Sequence, residues 1–195
     1  KTTMAASLAA AMAAEGRRVA VVDIDPQASL SRWHMLRMAR KPAATPIHLS
    51  SIAGWRLAGE LERLHRDQDV LLIDSPPSVA TDARLAMRSA NLVLVPMQPS
   101  PPDLWAAEGT LKLAAAERRP FRIVLNRAPA AGRLRAAVQA EITRQSLPAL
   151  TATLGNRTGF AAAFAQGLGV SETAPHSLAA RELAALLTEI EALLA

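Results

Sequence analysis

Two aspartates stand one residue apart, Asp23 and Asp25, at the end of the apolar run Val19-Ala20-Val21-Val22. Such a run reads as a strand covered on both faces, as in a parallel sheet. Its carboxyl end is where open α/β sheets bind ligands. Alternate strand residues share a face, so both acids point the same way if the strand lasts that far. An acid pair held there suits a cation or a polarised water. Pro26 has no N–H and biases Asp25 away from helix, so a loop begins at that point. Asp74 repeats the design after Val70-Leu71-Leu72-Ile73. Lys1-Thr2, heading an Ala-rich helix, looks like the tail of a phosphate-binding loop, G-x-x-x-x-G-K-[ST]. In that motif the helix N-terminus offers N–H groups to phosphates, the lysine neutralises their charge, and the hydroxyl ligates magnesium. K-T-T alone carries little information; its value lies in the order of the motifs downstream of it.

The elements that must position these residues alternate in type. Met4, Leu8 and Met12 recur every four residues through an Ala-rich helix that Gly16 stops. After the acid pair a helix is predicted over 30–40, with Trp33, Leu36 and Met38 as its apolar residues and Pro42 and Pro46 ending it. Strands are predicted at 47–49, 70–74, 92–97 and 121–125, and a short one at 150–154. Helices are predicted over 55–66, 81–90, 101–118, 133–145, 160–166 and 177–194, the 101–118 helix capped by Ser100 with Pro101 first and Asp103 in a capping box. Ser75-Pro76-Pro77-Ser78 predicts an extended loop after Asp74. Strands alternating with helices indicate one α/β domain over 1–195 with a mainly parallel sheet flanked by helices.

Composition bounds the class. Half of the residues are apolar, aromatics are 3%, and cysteine is absent, which excludes disulfides, thiolate metal sites and a cysteine nucleophile within this sequence. The net charge of +5 favours contact with phosphate backbones or anionic surfaces. No apolar run reaches the length of a membrane span, and a cytoplasmic protein is the expectation. His34, His48, His65 and His176 show no ligand spacing.

Taken in order, K-T-T, V-V-D-I-D-P-Q, L-L-I-D-S-P-P and V-P-M-Q-P-S resemble the ParA/MinD family of deviant Walker-type ATPases, and ParA-type partition proteins most closely. Lys1-Thr2-Thr3 is similar to the end of the family's K-G-G-x-G-K-T-T loop, Asp23 to Gln27 to its D-x-D-P-Q segment, and Asp74-Ser75-Pro76-Pro77 to its Walker B D-x-P-P. The resemblance implies a P-loop NTPase fold with ATP/ADP and Mg2+ as cofactors. It implies that Lys1 contacts the β- and γ-phosphates, Thr2 the magnesium and Thr3 the region of the α-phosphate. Asp25 would orient the attacking water, Asp23 would hold the loop or a magnesium-bound water, and Asp74 would reach magnesium through a water. Asn126, with Arg127 beside it at the end of a strand, resembles the residue that hydrogen-bonds adenine; an asparagine there also suits a turn. It further implies an upstream strand and Gly-rich loop of roughly a dozen residues, with the family's signature lysine, before Lys1.

Family members of this type dimerise around ATP, bind DNA non-specifically and are stimulated by a ParB-like or other cargo adaptor. Arg127, Arg133, Arg135, Arg144, Arg157 and Arg181 are the candidate DNA contacts, Arg157 matching a family position best. Nucleoid association follows from that reading. The alternatives are a small-molecule ATP-dependent enzyme of synthetase or kinase type, a MinD-like positioning ATPase, and a non-hydrolysing binding module. The last helix carries Glu182, Glu189 and Glu191 on its polar face, the wrong sign for anionic lipid, so packing is expected there rather than membrane.

Overall fold

The computed structural model describes residues 1–40, 44–76 and 81–195. Pro42, and Pro77 and Ser78 of the expected extended loop, lie outside the described residues. In chain order the elements are α1 (Thr2–Ala14), β1 (Val19–Asp23), α2 (Ser29–Met38), β2 (His48–Ser51), α3 (Leu57–Leu64), β3 (Val70–Asp74) and α4 (Thr81–Ser89). There follow β4 (Val93–Met97), α5 (Pro101–Ala116), β5 (Phe121–Leu125), α6 (Arg133–Arg144), α7 (Thr158–Phe164), α8 (Val170–Thr173) and α9 (Leu178–Leu194). Two compact units result: Lys1–Ser89 with Thr158–Ala180, and Ala90–Arg157 with Arg181–Ala195.

In the first unit β1 is the central strand, parallel to β2 on one side and β3 on the other. All five β1 residues are buried, which is why the run is apolar without alternation. The parallel register sets Asp23 opposite Asp74, so two carboxylates leave the sheet side by side. Ala20, Val22 and Ile24 pack with Leu57, Leu61 and Leu64 of α3 and with Ala86. Each fully buried aliphatic side chain contributes about 1.5–3 kcal/mol relative to exposure. Nine of the 13 residues of α1 are buried, and its many alanines let neighbours approach closely. A Cβ on Gly169 would meet Ala10 Cβ at 2.6 Å. Gly16 ends the helix in the left-handed region, φ +88°, as its type predicts.

The second unit pairs β4 with β5 in parallel, Val93 opposite Phe121 through Met97 opposite Leu125. Val95, Met97, Ile123 and Leu125 form its core with Leu104, Ala107 and Leu111 of α5 and Val138 and Ile142 of α6. Ser100 caps α5 as expected, its Oγ accepting from the Asp103 N–H at 3.3 Å, with Pro101 in the first turn.

Two expectations are corrected, and one element is new. No strand forms at 150–154. The chain touches β5 and the turn after it through single bridges, Ile123 to Ala149 and Ala128 to Gly155. Between them the N–H groups of Thr151 and Ala152 go to the Glu189 carboxylate, at 2.8 and 2.7 Å, instead of to a neighbouring strand. In α2 the buried stripe is Leu30, Trp33 and Arg37, whereas Leu36 and Met38 are exposed. The stripe has the spacing i, i+3, i+7, with an arginine in the third place. The new element is α8, unforeseen because four residues are too few to show a period. Among the described residues no helix is long and apolar enough to cross a membrane.

Candidate functional site

Asp23 and Asp74 are register partners and both buried, 2% and 4% exposed, but their surroundings differ. Asp23 is saturated. One oxygen accepts the Asp25 N–H at 3.2 Å; the other accepts the Ser31 N–H at 2.9 Å and the Ser31 hydroxyl at 2.7 Å. It therefore ties the end of β1 to both sides of the loop beyond it. Within that loop the Asp25 carboxylate accepts the Gln27 N–H at 2.9 Å, and the Ala28 N–H closes onto the Asp25 carbonyl at 2.8 Å. Ala28 takes φ +52°, left-handed for a residue with a Cβ, a conformation that survives where its surroundings over-determine it. Asp25 is half-buried above this turn.

Asp74 is not saturated. Its Oδ2 is buried and meets no donor among the described residues, while the Thr2 side chain hydrogen-bonds the carboxyl group. Burial pushes the Asp74 carboxyl up, the Thr2 bond opposes that shift, and the charges of Asp23 and Asp25 reinforce it. Burial also lowers the Lys1 ammonium, against the attraction of Asp74 and Asp25. A buried carboxylate oxygen without a donor is costly, and a bound cation removes that cost. Among the described residues no group of three or more His, Cys, Asp or Glu could enclose a metal. The donor set fits magnesium, which keeps several waters and takes its remaining oxygens from one or two side chains and phosphate. Thr2 and Thr3 open α1, whose first-turn N–H groups lack intrahelical partners by construction.

The far end of α2 is anchored as well. Arg37, 2% exposed, forks onto both oxygens of Glu172 at 2.8 and 2.9 Å and donates to the Thr45 and Gly167 carbonyls. Its guanidinium also lies 5.4 Å from the Trp33 ring centre. Gly167 is required there: at φ +71° a Cβ would strike the Arg37 backbone. Sequence pattern singles out neither Ser31 nor this pair, since Arg37 and Glu172 lie 135 positions apart.

In the second unit Asn126 and Arg127 follow β5 directly. The Asn126 N–H donates to the Met97 carbonyl at 2.8 Å, and its side-chain Oδ1 accepts the Arg127 N–H at 2.9 Å. Arg127 is exposed at φ +50°. Arg133 and Arg181 are exposed, Arg135 donates to the Pro129 and Ala130 carbonyls, Arg144 pairs with Glu141, and Arg157 pairs with Glu182 at 2.8 Å. Glu182 and Glu189 thus hold backbone and side chain of 151–157, so α9 packs along this segment.

Known proteins share both the sequence pattern and the fold. A family model described as the CobQ/CobB/MinD/ParA nucleotide binding domain matches residues 1–170. The chain is 28% identical over 202 residues to the maintenance of carboxysome distribution protein A of Halothiobacillus neapolitanus, covering 97% of this chain and 90% of that protein. Its fold is similar to the cell division ATPase MinD of Pyrococcus furiosus, with TM-score 0.80, 21% identity, and 98% of this chain and 93% of that one covered. It is also similar to a Cyanothece McdA variant in complex with ATP, with TM-score 0.76, 16% identity, and 99% and 90% covered.

Proposed function

This chain belongs to the CobQ/CobB/MinD/ParA nucleotide-binding domain family, and from that premise we propose that it is an ATPase of the ParA/MinD type that positions a cargo inside the cell. The observation that carries the reading is the buried Oδ2 of Asp74, without a donor among the described residues, beside Thr2 and Lys1. Thr2 and Asp74 would hold magnesium, which supplies charge neutralisation for the phosphates when bound. Lys1 adds a fixed positive charge for the β- and γ-phosphates, and the head of α1 with Thr3 presents N–H groups to the phosphate chain. Asp25 accepts a hydrogen bond from the attacking water and aims it at the γ-phosphorus, and the bond to the β-phosphate oxygen breaks as the new one forms. Asp23 keeps that loop in place through Asp25 and Ser31. Asn126 contacts the base, with Arg127 beside it. The family model runs across both compact units, which supports reading 1–195 as one nucleotide-binding domain.

The name of the Halothiobacillus relative favours a protein assembly as cargo over a plasmid or chromosome. ATP-dependent dimerisation, non-specific DNA binding and stimulation by a cargo adaptor complete the cycle. Arg127, Arg133 and Arg181 are the exposed arginines best suited to DNA, because Arg135, Arg144 and Arg157 already have acceptors. Such binding falls steeply with salt and shows little sequence preference. Asp25→Ala tests the proposal: hydrolysis is lost while ATP-dependent dimerisation and DNA binding persist. Loss of all three together would make Asp25 structural and sink the assigned role.

A further inference from the structure

Just beyond β5 the turn Asn126–Ala128 is sewn to the segment 154–157. The Ala128 N–H donates to the Leu154 carbonyl at 2.9 Å, and the Asn156 N–H donates to the Ala128 carbonyl at 3.1 Å. Glu182 of α9 grips the outer side of that segment. Its Oε2 accepts the Gly155 N–H at 2.9 Å, and its Oε1 accepts Arg157 Nη2 at 2.8 Å. The fit is close: a Cβ on Gly155 would lie 2.6 Å from Arg157 Nε. That Nε is itself buried without an acceptor among the described residues, so the guanidinium is held inward chiefly by the Glu182 charge. Two residues before Ala128, the Asn126 amide has its oxygen turned to the Arg127 N–H, which leaves the NH2 group directed away from its own backbone.

We propose that Glu182 is a positioning residue for recognition of the nucleotide base: it fixes Gly155 and Arg157, these fix Ala128, and Ala128 fixes the direction of the Asn126 amide. The inference rests on the reading of Asn126 as the base contact. Glu182 itself touches neither nucleotide nor attacking water. Its whole effect passes through two backbone hydrogen bonds and a turn.

The test is equilibrium competition of ATP and ITP against a fluorescent nucleotide, with magnesium, on the full-length protein. ITP carries an oxo group and a protonated ring nitrogen where adenine has an amino group and an acceptor, so an amide held in one direction discriminates between them. Glu182→Gln keeps the shape but leaves one acceptor oxygen for two donors, so its NH2 group stands against either the Gly155 N–H or the Arg157 guanidinium. It is expected to weaken ATP about 5–10-fold and ITP less than about twofold, the loss of one neutral hydrogen bond between the Asn126 amide and the base. Arg157→Met, which keeps the Gly155 bond, shifts the ATP:ITP ratio about twofold in the same direction and carries the test if Glu182→Gln does not fold. Asn126→Ala abolishes the preference. Equal weakening of ATP and ITP by Glu182→Gln would reduce Glu182 to a purely structural role and overturn the inference. An Asn126→Ala protein that keeps its preference would overturn the base-contact reading and this inference with it. Loss of preference in Asn126→Ala but not in Glu182→Gln or Arg157→Met would overturn the role of Glu182 alone.

Discussion

Carboxylates accept backbone N–H groups in both units, but they are not all used up in that way. In the second unit Glu182 and Glu189 are used up on backbone N–H groups and an arginine. In the first unit Asp23 is used up in the same way, but its neighbour across the register, Asp74, keeps a buried oxygen with no donor among the described residues. Residue type and burial are the same for the two aspartates; satisfaction is what separates them. A saturated carboxylate builds the frame; the unsaturated one is, on the proposed reading, the acid that holds a cation. The distinction predicts opposite mutational signatures, stability in the one case and chemistry in the other.

The largest stability effect falls on the most deeply buried saturated acid–base pair. Glu172→Ala leaves Arg37 buried without its counter-charge and is expected to cost about 3–5 kcal/mol in urea unfolding. A cost below about 1 kcal/mol would remove the pair from the frame. Asp23→Ala strands the Ser31 N–H and hydroxyl and the Asp25 N–H, with an expected loss of about 2–3 kcal/mol. Glu189→Ala frees two N–H groups closer to solvent, and about 1 kcal/mol is expected in the same measurement.

The smallest effect belongs to acids paired at the surface. Arg18 holds Asp69 down to about 2, and Arg144 holds Glu141 down to about 2. Their ordinary values are 3.8 and 4.5, so the stability they lend is complete above those values and is lost as pH falls towards about 2. Thermal melts between these limits should show a shallow slope that flattens further in Arg18→Ala or in high salt. A slope unchanged by either would contradict the pairing.

Much of this frame is legible in local pattern. The Ala-rich α1, the β1 run ending in Asp23, the Ser100–Pro101 helix start and the Leu57, Leu61, Leu64 stripe all announce themselves within a few residues. The acids of β1 and β3 are visible as candidates because both stand at strand ends. Which of the two is saturated is not visible, since that depends on Ser31 meeting Asp23 and on Thr2 meeting Asp74 across the sheet. The false strand at 150–154 has the same origin. Its composition allows a strand, but Glu189, 38 positions from Thr151, takes the amides a strand would need. Arg37 is hidden for a related reason: its spacing belongs to the core face of α2, and its charge argues against that until Glu172 is seen. Long-range polar partners, rather than helices and strands, are what this sequence conceals.

On the proposed reading, Asp74 is the one of these acids kept for a cation. The direct test of that role is Asp74→Asn in the full-length protein, with magnesium-dependent ATP hydrolysis and urea unfolding measured on the same preparation. Asparagine fills the same space without the buried charge. Hydrolysis is expected to fall by about 100-fold or more while the unfolding midpoint stays level or rises. Hydrolysis within about threefold of the parent, or a loss of stability matching that of Asp23→Ala, would contradict a cation-holding Asp74.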